Sequence, residues 1–126
     1  MRTEKLGSAT LENWSPAEVK AALDRHEITL IDVRTPEEYV HGHIEGALLA
    51  PMQSVGPLDL PMAGGKPVVL HCGSGKRSAM VAMACAEAGF TGLAHMEGGF
   101  MAWRAAGLPY VALDPSTGAP RRTTDR

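Results

Sequence analysis

Of the two cysteines in the chain, Cys72 and Cys85, the first stands among residues that can make it reactive. It opens the segment Cys72-Gly73-Ser74-Gly75-Lys76-Arg77-Ser78. His71 and the apolar run Pro67-Val68-Val69-Leu70 precede it, and the Ala- and Met-rich stretch from Ala79 to Gly89 follows. Such a pattern predicts a buried strand, a tight glycine-containing loop and a helix. A cysteine at that junction faces backbone N–H groups, the positive end of a helix dipole and two cationic side chains, all favouring thiolate over thiol. Gly73 and Gly75 let the main chain curl so that successive N–H groups point inward. Ser74 and Ser78 can donate hydroxyl hydrogen bonds, and Ser78 is equally suited to cap the following helix. Arg77 offers a planar fork for a sulfonate, phosphate or carboxylate, while Lys76 reads either as a ligand or as a solvated loop cation. The same ring would hold a small oxyanion against the sulfur. The expected chemistry is nucleophilic attack by Cys72 on a small anionic substrate.

Other residues of chemical interest read more plainly. Cys85 falls on the apolar side of the predicted helix, where a free cysteine serves as a small hydrophobe. His71 adjoins Cys72 on a strand, so its side chain points to the opposite face and a Cys–His dyad is not expected. His41 and His43 form an H-x-H without a second ligand cluster, and no metal site is predicted. Asp32 and Arg34 end a strand beside the cysteine loop and read as an ion pair that anchors it. Phe100 and Trp103 fit helix-packing positions.

These side chains need a scaffold. Ser15-Pro16-Ala17-Glu18 and Thr35-Pro36-Glu37-Glu38 each carry a capping box with proline at the first helical position, predicting helices to about Arg25 and to His41-Gly42. Apolar runs at Ile28–Val33, Gly46–Ala50, Pro67–Leu70 and Leu93–Met96 have strand length. Residues 52–65 read as loop with one helical turn, and a last helix is expected over Phe100–Ala106, stopped by Gly107 and Pro109. Near the N-terminus only Ala9-Thr10-Leu11 resembles a strand. Strands alternating with helices predict an α/β fold with a parallel sheet, whose ligands bind at the carboxyl edge of the strands. Three loops should meet there: Arg34 to Glu37, Cys72 to Ser78, and Glu97 to Gly99.

The chain has 126 residues, enough for one domain with its own core. It is 44% hydrophobic with a net charge of −2, which gives no pointer to nucleic acid or an anionic membrane. No apolar run approaches the roughly 20 residues that span a bilayer, and Met1 to Ser8 lack the apolar centre of a secretion signal. A cytoplasmic setting without structural disulfides is the expectation. Residues 4–113 are expected to form the domain. Residues 114–126, polar and with three arginines, read as a flexible tail.

Four segments, taken together, resemble the rhodanese-like sulfurtransferases. They are Leu30-Ile31-Asp32-Val33-Arg34 with Pro36-Glu37-Glu38-Tyr39; Gly42-His43-Ile44-Glu45-Gly46-Ala47; Cys72 to Ser78; and Glu97-Gly98-Gly99-Phe100 through Trp103 to Gly107-Leu108-Pro109. Glu45 stands where the family usually has proline. The resemblance implies a single rhodanese-like domain, a parallel five-stranded sheet with helices on both faces, and Cys72 as nucleophile. It further implies a persulfide on Cys72, loaded from thiosulfate or a similar anionic donor. Unloading would be to cyanide or a thiol acceptor, including a thiol-bearing protein, with no cofactor. Two rival readings stand beside it. His71-Cys72-x-x-Gly75 is similar to the start of a tyrosine-phosphatase or arsenate-reductase loop, but four residues separate Cys72 from Arg77 where that signature has five. The other rival is a non-catalytic binding module, which often lacks the cysteine retained here.

Overall fold

Both capping boxes form and set the directions of the first two helices. In the computed structural model, which describes residues 1–125, the Ser15 side chain accepts from Glu18 N and the Thr35 side chain from Glu38 N. The elements in order are β1 (Arg2–Leu6), β2 (Ala9–Trp14), α1 (Pro16–Asp24), β3 (Thr29–Asp32), α2 (Pro36–His41), β4 (Gly42–His43) and β5 (Leu48–Leu49). A 3-10 turn at Pro57–Asp59 precedes β6 (Val68–His71), α3 (Lys76–Glu87), β7 (Gly92–Met96), α4 (Gly99–Ala105), β8 (Tyr110–Leu113) and β9 (Pro120–Thr123). The main sheet has the order β1-β2-β7-β6-β3-β5. Its five strands from β2 to β5 run parallel, as expected, and β1 adds an antiparallel edge.

Alternation along the strands divides the core in two. On one face Leu11, Ile31, Leu70 and Leu93 meet Val81, Ala82 and Cys85 of α3. On the other, Leu30, Val69, Ala94 and Met96 meet Val19 and Ala22 of α1 and Phe100 and Trp103 of α4. All four residues of β6 are buried, so the strand that delivers Cys72 is the best-covered part of the sheet. Among the described residues no helix is long and apolar enough to cross a membrane.

Two segments differ from expectation for one reason. Strand β1 is exposed along most of its length and shows no apolar alternation, so a hairpin stands where the sequence displays little pattern. The stretch expected as a tail likewise carries a strand, β9, paired antiparallel to β8 and joined through β8 to β4. Its turn is tied by Asp114, whose N–H donates to Ala119 O at 2.8 Å and whose Oδ1 accepts from Ser116 N at 2.8 Å. Arg104 Nε donates to Asp125 Oδ2 at 2.9 Å, and Arg122 pairs with Glu45 at 3.0 Å. Main-chain pairing and ion pairs hold this hairpin, and neither leaves an apolar trace. Residue 126 lies outside the described residues.

Candidate active site

Strand β6 ends at His71, and the loop that follows wraps around the sulfur of Cys72. Gly75 N donates to Cys72 Sγ at 3.0 Å and Ser78 N at 3.4 Å, with Ser78 Oγ 3.7 Å away. The curl depends on Gly75, whose φ of +100° lies in the left-handed region that glycine tolerates best. Gly75 also precedes the first turn of α3, so the sulfur sits at the positive end of a 12-residue helix. The helix thus begins at Lys76 rather than Ala79. Ser78 is inside its first turn and is not the cap.

Cys72 is fully buried. Burial by itself pushes its thiol up. Hydrogen bonds from the Ser78 N–H and hydroxyl and from the Gly75 and Ser74 N–H groups outweigh that, and the net displacement is downward. Cys85, on the buried face of α3, is pushed up by burial.

The loop is fixed from two sides. From α4, Phe100 N donates to Cys72 O at 2.8 Å and Met101 N to Gly73 O at 3.0 Å. Only glycine allows that approach: a Cβ on Gly99, whose φ is +61°, would lie 2.5 Å from Cys72 O. From α2, Glu38 takes both prongs of Arg77, at 2.7 and 2.9 Å, and draws that side chain across Gly73. Arg77 therefore meets a carboxylate of the chain itself, where the sequence shows a fork free for a ligand. The pairing with Arg77, with help from Thr35 and against burial, holds the Glu38 carboxyl down at about 2.

Asp32 and Arg34 form the expected ion pair. Arg34 Nη2 donates to Asp32 Oδ2 at 2.8 Å and to Gly42 O at 2.7 Å, and both residues are buried. His71 points away from the sulfur, with Nε2 3.6 Å from Asp32 Oδ2. The H-x-H histidines bond to helix carbonyls, His41 to Glu37 O and His43 to Tyr39 O. A cavity of about 360 Å3 opens over the loop, bordered by Arg34, Glu38, Gly73, Ser74, Arg77, Phe100, Met101 and Arg104. Lys76 is exposed and does not border it. A larger cavity of about 460 Å3, beside Lys20, Ile28, Ile44 and Trp103, lies on the α1 side and includes no residue of the cysteine loop.

Three residues near the sulfur are absent from the sequence reading of the site. Glu38 is visible there as the end of a capping box and within one of the four segments, with no role at the site. His95 is a lone polar residue in the apolar strand Leu93–Met96, which is a usable signal. Asn13, its partner at 2.7 Å, has none.

A thiol in a ring of main-chain donors, between a central parallel strand and a helix, places the cysteine loop at the carboxyl edge of an α/β sheet. The chain belongs to the rhodanese-like domain family, whose model matches residues 15–106. An uncharacterized protein of Synechocystis is 39% identical over 108 residues, covering 84% of this chain and 60% of that one, so the chain spans about three-fifths of that relative's length. A sulfurtransferase of Allochromatium vinosum is 34% identical over 89 residues, covering 71% of this chain and 83% of its own. The solution structure of the rhodanese-like domain of the Anabaena Alr3790 protein shares the fold. Its TM-score is 0.67 at 22% identity, over 90% of this chain and 88% of that domain.

Proposed function

We propose that this protein is a sulfurtransferase that carries a sulfane sulfur on Cys72. One observation bears most of the weight: the sulfur accepts hydrogen bonds from two main-chain N–H groups at the start of α3. In the first half-reaction the Cys72 thiolate attacks the outer sulfur of thiosulfate or a similar anionic donor. The donor's S–S bond breaks, its electron pair leaves with sulfite, and Cys72 becomes a persulfide. The N–H groups of Ser74, Gly75 and Ser78 stabilise the negative charge before and after the transfer. In the second half-reaction a thiophile, cyanide or the thiolate of a small molecule or protein, attacks the outer sulfur and releases Cys72 as thiolate. Neither half-reaction calls for a metal or an organic cofactor.

The donor's entry follows from the same contacts. Arg77 lies over Gly73 while Glu38 holds it, and an oxyanion that competes for the guanidinium would draw it aside and uncover the sulfur. Gly73 and Ser74 line the cavity from which such an anion would approach. Donor and acceptor use the sulfur in turn, so the kinetics should be double-displacement, with parallel double-reciprocal lines when thiosulfate and cyanide are varied. Cys72→Ser should abolish turnover, and sulfur transfer surviving in that variant would refute the reading. Hydrolysis of an aryl phosphate at a comparable rate would favour an anion hydrolase instead.

A further inference from the structure

Polar side chains buried beneath a helix must find partners, because each unmatched donor or acceptor is costly. Beside the sulfur such side chains form a continuous line, and none of them borders the cavity over the loop. Ser78 Oγ lies 3.7 Å from Cys72 Sγ and 2.8 Å from His95 Nδ1, and His95 Nε2 lies 2.7 Å from Asn13 Oδ1. Asn13 Nδ2 donates to Glu4 Oε1 at 3.0 Å and to Arg2 O at 3.3 Å, so the Asn13 oxygen is the atom that faces the histidine. It accepts the Nε2 proton, which leaves a lone pair on Nδ1 for the Ser78 hydroxyl. Ser78, His95 and Asn13 are 0%, 5% and 3% exposed. Packing does not call for a histidine here: Leu93 precedes it on the same face and Leu70 is its register partner on β6.

We propose that His95 is the proton acceptor for the Cys72 thiol, reached through the Ser78 hydroxyl. The purpose of this relay rests on the sulfur-transfer reading, but its existence does not. The S–H bond breaks and its electron pair stays on sulfur while the proton passes to Ser78 Oγ. Ser78 gives its own hydroxyl proton to His95 Nδ1. The products are a thiolate that accepts from the Ser78 hydroxyl and an imidazolium that donates to Ser78 Oγ and Asn13 Oδ1. No atom leaves the protein, and the reverse transfer restores the thiol.

The groups facing His95 fit this role. Besides Cys72 and Ser78 they are Asn13 of β2, Arg2 and Glu4 of β1, and Glu97 just past β7. Burial is the largest influence and holds the imidazole below its ordinary value, with Arg2 acting the same way and Glu4 and Glu97 opposing. While Cys72 still carries its proton the histidine is therefore neutral and able to accept.

The test is the pH dependence of Cys72 alkylation by iodoacetamide in the full chain, read by mass mapping of the modified cysteine, beside single-turnover persulfide formation from thiosulfate. His95→Gln keeps hydrogen-bonding atoms but not the base. It should move the alkylation midpoint up by about one pH unit, a roughly tenfold loss of rate near neutrality, with the curves converging once the thiol is fully ionised. Coincident curves, or a loss equal at every pH, would overturn the relay. A second measurement needs no variant. In wild-type protein the 15N signals of His95 should show imidazolium character near neutral pH that vanishes when Cys72 is blocked, and signals indifferent to blocking would also overturn it. If wild-type protein forms no persulfide while His95→Gln still shifts the alkylation midpoint, the sulfur-transfer reading fails and the relay stands.

Discussion

Replacing Asp32 by asparagine removes one charge from a buried pair and leaves its partner in place. Asp32 Oδ1 accepts from Arg34 N and Nε, both at 3.0 Å, and Oδ2 accepts from Nη2 at 2.8 Å. The side chains are 0% and 5% exposed, so water has little access to these contacts. An asparagine turned to keep its oxygen on Arg34 N and Nε presents its NH2 group to Nη2, and the guanidinium is left with two neutral acceptors, that oxygen and Gly42 O at 2.7 Å, and no counter-charge. Stranding a buried charge in this way costs about 3–5 kcal/mol, a large part of the roughly 5–15 kcal/mol that holds a domain folded. With a urea dependence of about 1–3 kcal/mol per molar, the unfolding midpoint should fall by about 2 M. The double variant Asp32→Leu/Arg34→Met, which removes both charges, should cost less than Asp32→Asn alone. Urea titrations followed by circular dichroism compare both variants with the wild type. A loss below about 1 kcal/mol for Asp32→Asn, the worth of an exposed pair, would refute the reasoning.

Other outcomes follow from the loop's supports. Glu38→Gln loosens Arg77 from its place over Gly73, and Cys72 alkylation by neutral iodoacetamide should then rise up to about fivefold, matching a part-exposed pair worth up to about 1 kcal/mol; an unchanged rate would contradict the covering role of Arg77. Because the Glu38 carboxyl is lowered on folding, its stabilisation is present above its ordinary 4.5 and fades as pH falls towards about 2. An NMR titration of that carboxyl should place its midpoint near the lower value, and a midpoint near the ordinary value would disprove the clasp. Gly99→Ala should cost more than about 2 kcal/mol in thermal or urea unfolding, since it forces a left-handed residue and a clash with the cysteine loop at once; a neutral effect would contradict the close approach. Under native conditions a thiol reagent should modify Cys72 well before Cys85, and equal labelling by peptide mapping would count against the contrast between their surroundings.

What the sequence displays is what burial writes into it. Strands β3, β6 and β7 are covered on both faces and appear as mainly apolar runs, and the two capping boxes mark α1 and α2 within a residue or so. Strands β1 and β9 are held by main-chain pairing on exposed edges, which asks little of side-chain type, so neither shows. The cysteine loop is legible because its chemistry needs glycines, a helix start and a thiol in immediate succession. Contacts across long separations are not. Nothing in the sequence says that Arg77 meets Glu38, 39 residues away, or that His95 reaches back to Asn13, 82 residues away. In both cases one partner has a sufficient local explanation, a capping box or a strand position, that hides its second role.

The central claim is that the ring of N–H groups keeps Cys72 anionic and lets it take up a sulfur atom. Intact-protein and peptide mass spectrometry after brief exposure to thiosulfate tests this most directly. One added sulfur on Cys72, removed by cyanide and absent in Cys72→Ser, is the predicted result. An unmodified Cys72, or the same mass gain in Cys72→Ser, would contradict it.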